Sequence, residues 1–214
     1  MAAHSDNFSS VFKNGLFQNK VAVITGGGSG IGFAIAKELA YLGCTVIIGS
    51  RSKKKASKLQ EAADQINAFI HSLSSSANNK CIAIKLDVRS SESIEHFFNT
   101  LHDEHHIEMI DYLINNAGGQ YMSQLENISE KGWKTVIELN LTAPFLISKY
   151  VFNRYWKKRK HDRKKVIINI TANSFNGMPM MGHSGAARGG VEVLTMEMAQ
   201  NWSKYGVRVN SVAP

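Results

Sequence analysis

The 214-residue chain has only two cysteines and no apolar run long enough to cross a membrane. A bilayer span needs about 20 consecutive apolar residues, and the N-terminal segment MAAHSDNFSSVFKNG lacks the apolar core of a secretion signal. Cys44 and Cys81 are too few for a disulfide framework, and each begins a predicted strand, so both are expected to be reduced and structural. We therefore expect an intracellular protein without a membrane span.

The chain is basic, with a net charge of +8, but aromatic residues do not alternate with its cations as in a nucleic-acid platform. Much of the excess charge lies in the run WKKRKHDRKK, residues 156–165. This run precedes a predicted strand and so lies at the amino-terminal edge of the predicted sheet, opposite the edge where ligands bind. We expect a solvated loop and no nucleic-acid partner, and an acidic partner is the alternative.

Three histidines near one predicted helix end, His102, His105 and His106, resemble a metal-ligand cluster in composition only. No second group of ligands accompanies them in the sequence, so a solvated helix terminus is favoured. We expect no metal.

Short β-branched runs alternate with helix-length amphipathic stretches along the chain. The predicted strands are residues 20–25, 45–49, 81–86, 109–115, 166–171 and 207–212. The predicted helices are residues 30–42, 53–72, 91–105, 129–157 and 183–205, and a break of the fourth near Pro144 is left open. This order predicts an α/β fold with a doubly wound parallel sheet of the Rossmann type, in a single domain over residues 1–214.

The most informative segment is VAVITGGGSGIG, residues 21–32, where a strand-like run breaks into glycines and resumes as an apolar helix. Gly26 and Gly30 allow the backbone to approach a pyrophosphate, and Gly32 allows the helix to pack on the strand. The free N–H groups at the helix start attract negative charge. A dinucleotide is the predicted ligand. Its contacts are expected from Thr25, Gly26, Gly28, Ser29, Gly30, Ile31 and Gly32.

Five motifs in this order resemble the short-chain dehydrogenase/reductase family over nearly the whole chain. They are TGGGSGIG (25–32), LDV (86–88), NNAG (115–118), ELNLT (138–142) and RVNSVAP (208–214). Within the family, NNAGGQYMS (115–123), KGW (131–133) and HSGAARGGV (183–191) are most similar to the peroxisomal trans-2-enoyl-CoA reductases. The resemblance implies that Asp87 and Val88 border the adenine. It also implies that Asn115, Ala117 and Gly118 line the nucleotide trough.

The end of the second predicted strand indicates which cofactor is used. Enzymes that prefer NAD usually place a carboxylate there, which binds the ribose 2′-hydroxyl and would repel a 2′-phosphate. This chain has Ser50 and Arg51 instead, with Lys53 and Lys54 nearby. Because a guanidinium forms a planar fork suited to phosphate, NADPH is predicted.

One departure from the family pattern concerns the chemistry. Most members carry a Ser, a Tyr-x-x-x-Lys pair and an Asn. Matching GGV (189–191) and the following LT (194–195) to the helix of the family places Ser184 at the Tyr and Arg188 at the Lys. Thr171 then stands where the Ser belongs, and Asn140 where the Asn belongs. Residues 184 and 188 are one helical turn apart and share a face. A one-residue slip would place His183 at the Tyr position, but Ala187 would then replace the Lys.

A ketone reduction needs an acid that protonates an alkoxide, and neither a serine hydroxyl nor an arginine is suited to that role. Reduction of an enoyl thioester leaves negative charge on the thioester oxygen, which needs hydrogen-bond donors. We therefore predict NADPH-dependent reduction of the 2,3 double bond of trans-2-enoyl-CoA in fatty acid metabolism.

The expected roles follow from that reaction. Ser184 would donate to the thioester oxygen, Arg188 would bind the ribose hydroxyls and add positive potential, and Asn140 would hold a helix distortion or a water. The carbon is protonated by water, Tyr121 or His183, which stay open as alternatives. Thr171 is either part of the site or a packing residue at a strand end.

Two other functions remain as alternatives. One is an alcohol or ketone oxidoreductase of the same family, which would need an additional acid such as His183. The other is a non-catalytic NADPH-binding or basic interaction protein. The resemblance further implies a homo-oligomer, a peroxisomal location with the cytoplasm as alternative, and a substrate lid, a final strand and any terminal peroxisomal address beyond Pro214.

Overall fold

Six parallel strands form one sheet in the order β3-β2-β1-β4-β5-β6. The computed structural model describes residues 9–51, 56–73, 78–158 and 164–214. The strands are β1 (Val21–Thr25), β2 (Thr45–Ser50), β3 (Cys81–Lys85), β4 (Tyr112–Asn115), β5 (Lys165–Ile170) and β6 (Val207–Val212). This order and the parallel pairing confirm the predicted doubly wound Rossmann-type sheet.

The crossover segments form helices on both faces of the sheet. The helices are α1 (Gly30–Tyr41), α2 (Ala56–Leu73), α3 (Ser91–Asp103), α4 (Glu130–Ile137), α5 (Ala143–Val151) and α6 (Gly182–Trp202). Helices α1 and α2 share one buried apolar cluster with the sheet, whereas α3, α5 and α6 share the other. Because the central strands are covered on both faces, they are mainly apolar, as parallel strands usually are. None of the described helices is both long and apolar enough to cross a membrane.

The helix predicted over residues 129–157 continues through Pro144, without the break that the sequence allows there. A π-helical turn, Glu138–Thr142, joins α4 to α5, and a second, Phe152–Trp156, follows α5. Proline lacks the N–H that would donate to the carbonyl four residues earlier, here that of Asn140. Since Asn140 lies in the widened turn, the helix continues through the proline.

Several predicted boundaries differ from the observed ones by two or three residues, and one lies outside the described residues. The fourth strand begins at Tyr112, not at residue 109, although Met109 and Ile110 are buried. Burial of a short apolar run does not by itself distinguish a strand from the segment leading into it. Lys53 and Lys54, and residues 159–163 of the basic run, lie outside the described residues.

The strand order places a ligand cleft between β1 and β4. Their register pairs Ile24 with Ile114, so Thr25 and Asn115 end side by side at the carboxyl edge. From here the chain leaves β1 into α1 on one face and leaves β4 toward α5 on the other. Ligands of open α/β sheets bind at such a switch point.

Candidate active site

The glycine turn after β1 has the shape of a phosphate-binding turn. Gly26 and Gly30 have φ of +69° and +56°, in the left-handed region that favours glycine. A Cβ at Gly30 would meet no atom within 4 Å, so this backbone faces open space. At Gly32, a Cβ would overlap the Asn116 amide and lie 2.5 Å from the Gly26 carbonyl oxygen. The first turn of α1 contains no acidic residue, and the Ser29 side chain forms no capping hydrogen bond, so its N–H groups can bind an anion.

The turn is held by two residues, of which the sequence predicted only one. Thr25 Oγ1 accepts hydrogen bonds from the backbone N–H groups of Asn116 (3.0 Å) and Ala117 (2.9 Å). The Asn116 amide donates to the carbonyl oxygens of Thr25 (2.9 Å) and Gly26 (3.3 Å). Thr25 therefore shapes the turn from inside the sheet edge, and Asn116, absent from the predicted set, ties the end of β4 to it.

Asn115 faces the interior and not the cleft. Its amide donates to Ser148 Oγ (3.0 Å) and to Asn169 Oδ1 (2.8 Å), and Asn169 donates to Thr195 Oγ1 (2.8 Å). All four residues are buried. The side chain therefore links β4 to α5 and β5, and through Asn169 to α6. This placement differs from the trough-lining position that the resemblance implied.

The end of β2 carries positive charge beside a paired carboxylate. Arg51 is exposed, and Ser50 Oγ lies near the glycine turn, 3.8 Å from where a Cβ of Gly28 would be. Arg89 forms two hydrogen bonds to Asp87, at 3.1 and 3.0 Å. These bonds hold the pKa of the Asp87 carboxyl below its usual range, and the charge of Arg51 acts in the same direction. Arg89 was missing from the predicted site, although its two-residue separation from Asp87 could have indicated it.

Val88 follows Asp87 but is buried, with its side chain in the core cluster of α3. At the glycine turn, Ile31 is exposed and Gly28 is half-buried. Residues 25–32 follow β1, and residues 50–51 lie at the end of the neighbouring parallel strand β2. These predicted cofactor contacts therefore lie together at the carboxyl edge of the sheet.

Asn140 lies in the π-helical turn and fixes the loop after β4. Its side chain accepts from the Gly119 N–H (3.0 Å) and donates to the Gly119 carbonyl (2.8 Å). The neighbouring Gly118 packs closely against Asn140 and Arg188, since a Cβ there would lie 2.9 Å from Asn140 Oδ1 and from Arg188 Nη2. The asparagine thus stands at a helix distortion, which is one of the two roles expected for it, and brings the loop to the head of α6.

Arg188 projects from α6 into this cleft. Its Nη1 donates to the Ile170 carbonyl oxygen at 2.8 Å, at the end of β5. Its pKa is lowered by burial, and in the part of the chain that the structure describes it forms no ion pair. An arginine stays protonated in proteins. The cleft therefore contains a positive charge without a carboxylate partner.

Four buried polar atoms without a hydrogen-bond partner among the described residues belong to Arg188 itself, to the first turn of α6, and to Thr171, the residue after Ile170. They are Thr171 Oγ1, His183 Nε2, Ser184 Oγ and Arg188 Nε. Only two other such atoms occur in the same described ranges, Asn115 Oδ1 and Tyr155 Oη. Buried polar groups are usually paired, so a cluster of unpaired ones marks a place where a polar ligand fits.

His183 and Tyr121 pack together at the start of α6. Their ring centroids are 4.5 Å apart, with the planes at 83°. His183 is fully buried, and its Nδ1 accepts the backbone N–H of Ser184 at 2.8 Å. Tyr121 is 41% exposed, and its hydroxyl occupies the space that a Cβ of Gly132 would need. The Tyr121 hydroxyl is therefore turned toward α4, while the ring contacts the histidine.

The residues present fit a dinucleotide. The uncapped start of α1 and the open backbone at Gly30 suit a pyrophosphate, and Arg188 with its unpaired Nε suits hydroxyl or phosphate oxygens. No three potential metal ligands converge within the described ranges.

Comparisons with known proteins agree with this geometry. A family model described as short chain dehydrogenase matches residues 20–214. The chain is 33% identical over 214 residues to the peroxisomal 2,4-dienoyl-CoA reductase of Danio rerio, a match that covers 98% of this chain and 65% of that protein. It is 34% identical over 208 residues to the Rattus norvegicus protein of the same name, covering 97% and 66%. The chain thus spans about two thirds of the length of these relatives, 65% and 66%.

Solved structures give the same result. A citronellol catabolism dehydrogenase of Pseudomonas aeruginosa PAO1 superposes with a TM-score of 0.84 at 38% identity, covering 97% of this chain and 78% of that chain. A short chain dehydrogenase of Bacillus anthracis superposes with a TM-score of 0.79 at 34% identity, covering 91% and 75%.

Proposed function

The chain belongs to the short-chain dehydrogenase family, and we propose that it is an NADPH-dependent reductase of α,β-unsaturated acyl-CoA thioesters. One observation carries this proposal. Ser184 and Arg188 share a face of α6, one turn apart, and each has a buried polar atom unpartnered in the described structure. The pair offers hydrogen-bond donors and positive charge but no side chain suited to protonating an alkoxide.

The geometry suits charge that develops on a carbonyl oxygen. The bound nicotinamide would supply a hydride to the β carbon of the enoyl group. Ser184 Oγ would then donate to the thioester oxygen as it becomes negative, and Arg188 would add positive potential. The positive end of the α6 dipole lies at Ser184, and its first turn contains no acidic residue. The proton at the α carbon comes from water or from Tyr121, and Tyr121→Phe distinguishes them by whether turnover is retained.

The ketone reductase alternative needs a proton donor for an alkoxide, and His183 was the candidate. Its Nδ1 accepts a hydrogen bond from the Ser184 N–H, so this nitrogen carries no proton. A protonated Nδ1 could not accept this bond inside the core. The geometry therefore counts against His183 as the acid of a ketone reduction.

A 2,4-dienoyl-CoA is the second candidate substrate. The Danio rerio and Rattus norvegicus relatives described above are both named 2,4-dienoyl-CoA reductases that produce (3E)-enoyl-CoA. In a conjugated diene, hydride at the δ carbon also sends negative charge to the thioester oxygen. The same donors from Ser184 and Arg188 would serve both substrates, so the site chemistry is shared.

The test follows NADPH oxidation with trans-2-enoyl-CoA, 2,4-dienoyl-CoA and simple ketones in parallel. We expect turnover of at least one acyl-CoA and none of the ketones. Turnover of ketones alone would reject the proposal. Cofactor binding without turnover of any substrate would instead support the non-catalytic alternative.

NADPH preference is proposed from Arg51. Replacing it by aspartate should raise the KM for NADPH about tenfold, because a charged hydrogen bond to the 2′-phosphate is lost and a repulsion is introduced. The KM for NADH should fall or stay unchanged. Arg208→Asp is the matched control, since Arg208 is an exposed arginine in β6, at the opposite edge of the sheet from β2. Equal effects of the two substitutions would contradict the assignment.

Location and assembly are proposals as well. The relatives named peroxisomal support a peroxisomal location, with the cytoplasm as the alternative, and fluorescence microscopy of the tagged protein tests it. A homo-oligomer fits the exposed apolar side chains of α4, α5 and α6, among them Trp133, Phe145 and Met196. Light scattering after size-exclusion chromatography measures that state.

A further inference from the structure

The buried histidine at the start of α6, His183, has no role in the reaction proposed for Ser184 and Arg188. His183 is 0% exposed, and its two ring nitrogens differ. Nδ1 accepts the Ser184 N–H at 2.8 Å, whereas Nε2 has no partner within the described part of the chain. In a neutral imidazole, one nitrogen accepts and the other carries the proton. The proton is therefore on Nε2, and His183 presents a fixed, neutral N–H donor.

An unpaired buried donor is unfavourable by about 1–3 kcal/mol, so its presence indicates a partner that arrives from outside the chain. Ser184, the next residue, has a second unpaired buried polar atom, its Oγ. Both lie in the first turn of α6, where the helix dipole favours an oxygen that carries negative charge. A carbonyl oxygen that becomes an oxyanion is the ligand chemistry that these features share.

Tyr121 covers the buried histidine on one side and is itself partly exposed. Its ring packs edge-on against His183 at 4.5 Å, and it is itself 41% exposed. The loop that carries it is attached at both sides: Gly119 bonds to Asn140, and the Ser123 N–H donates to the Met180 carbonyl at 2.7 Å. A ligand that reaches His183 from this side must therefore displace the tyrosine ring, while the backbone of the loop stays in place.

We propose that His183 is a substrate-binding residue whose neutral Nε2–H donates to the acyl carbonyl oxygen together with Ser184, and that the Tyr121 ring turns aside to admit the acyl group. This inference rests on the proposed acyl-CoA function. It assigns the histidine a hydrogen bond to substrate and no proton transfer. Histidine and serine together then provide two donors to one oxygen, and Arg188 remains free for the cofactor.

Two substitutions separate the two ring nitrogens. His183→Asn retains an acceptor near the position of Nδ1 but removes the distal donor, whereas His183→Gln places an amide donor near Nε2 and removes the proximal acceptor. The ligands are decanoyl-CoA and S-decyl-CoA, a thioether without the carbonyl oxygen. Their affinities are measured by calorimetry in the presence of NADP⁺, so the readout does not depend on turnover.

We expect the wild-type protein to bind the thioester about twentyfold or more tightly than the thioether, a ratio typical of two net hydrogen bonds. His183→Asn should reduce that preference about fivefold, the share of one hydrogen bond, and His183→Gln should retain it. The proposal is overturned if both variants retain the preference, if both lose it equally, or if only His183→Gln loses it, which would assign the histidine a structural role through Nδ1. NADP⁺ affinity, unchanged in both variants, verifies the fold. If wild-type protein binds neither acyl ligand, the proposed function itself fails.

Discussion

Arg188→Met is expected to lower kcat/KM for NADPH-dependent reduction by about a hundredfold or more, a loss comparable to removal of one oxyanion-hole donor. The guanidinium is positioned by its hydrogen bond to the Ile170 carbonyl and by the space above Gly118. Methionine fills a similar volume but supplies neither charge nor donors. On the proposed function, the hold on the ribose and the positive potential beside the thioester would both be lost. Initial rates with an enoyl-CoA and NADPH affinity by fluorescence measure the two losses separately.

The same substitution should not lower thermal stability. Arg188 is half-buried, and a partly desolvated charge without a carboxylate partner is unfavourable to the fold. Burial lowers the pKa of this guanidinium for the same reason. An apolar side chain removes that penalty, so Tm should stay equal or rise while activity falls. Arg188→Lys is the control: it keeps the charge and should retain at least about a tenth of the activity, because a lysine is expected here by resemblance to the family. Wild-type activity in Arg188→Met would exclude the arginine from the reaction.

The strand order and the phosphate turn could be predicted because they depend on local patterns. The glycines of residues 25–32 follow a β-branched run and precede an apolar helix, and this order determines a strand, a turn and a helix start. The strands predicted at 45–49 and 207–212 differ from the observed ones by at most one residue. The apolar pattern is sufficient to place a strand where short apolar runs alternate clearly with helical segments.

The directions of individual side chains could not be predicted. Asn115 and Asn116 are adjacent, and successive strand residues point to opposite faces, but the pattern does not state which asparagine faces the ligand. The structure turns Asn115 toward Ser148 and Asn169, and Asn116 toward the glycine turn. Their partners lie 33, 54 and 91 residues away in sequence. Such contacts depend on tertiary packing, and the local pattern of a single sequence does not predict which distant residues will meet.

The π-helical turn at Asn140 shows an intermediate case. The match to a family position predicts that Asn140 holds either a helix distortion or a water, but nothing in the composition of residues 138–142 predicts a widened turn. The reason becomes visible only with the loop after β4 in place. Asn140 bonds to both backbone groups of Gly119, which requires its side chain to reach out of the helix. Single π-helical turns inside α-helices occur frequently at functional sites.

Gly32→Ala is expected to weaken NADPH binding by more than about a hundredfold and to lower the free energy of unfolding by about 1–3 kcal/mol, the range for overpacking. A methyl group there would overlap the Asn116 amide and lie 2.5 Å from the Gly26 carbonyl oxygen. The amide is a flexible side-chain end, but the carbonyl belongs to the phosphate turn. Helix α1 must then shift away from β1, which moves the N–H groups that would bind the pyrophosphate.

A matched glycine substitution on α6 gives the opposite sign. A Cβ at Gly189 would meet no atom within 4 Å, and alanine is favoured over glycine inside a helix by about 0.5–1 kcal/mol. Gly189→Ala should therefore raise stability slightly and leave NADPH affinity unchanged. Urea unfolding and fluorescence titration with NADPH compare the two variants directly. If Gly32→Ala binds NADPH as well as Gly189→Ala does, the close packing of α1 on the turn does not position the cofactor, and the dinucleotide site must be placed elsewhere on the sheet.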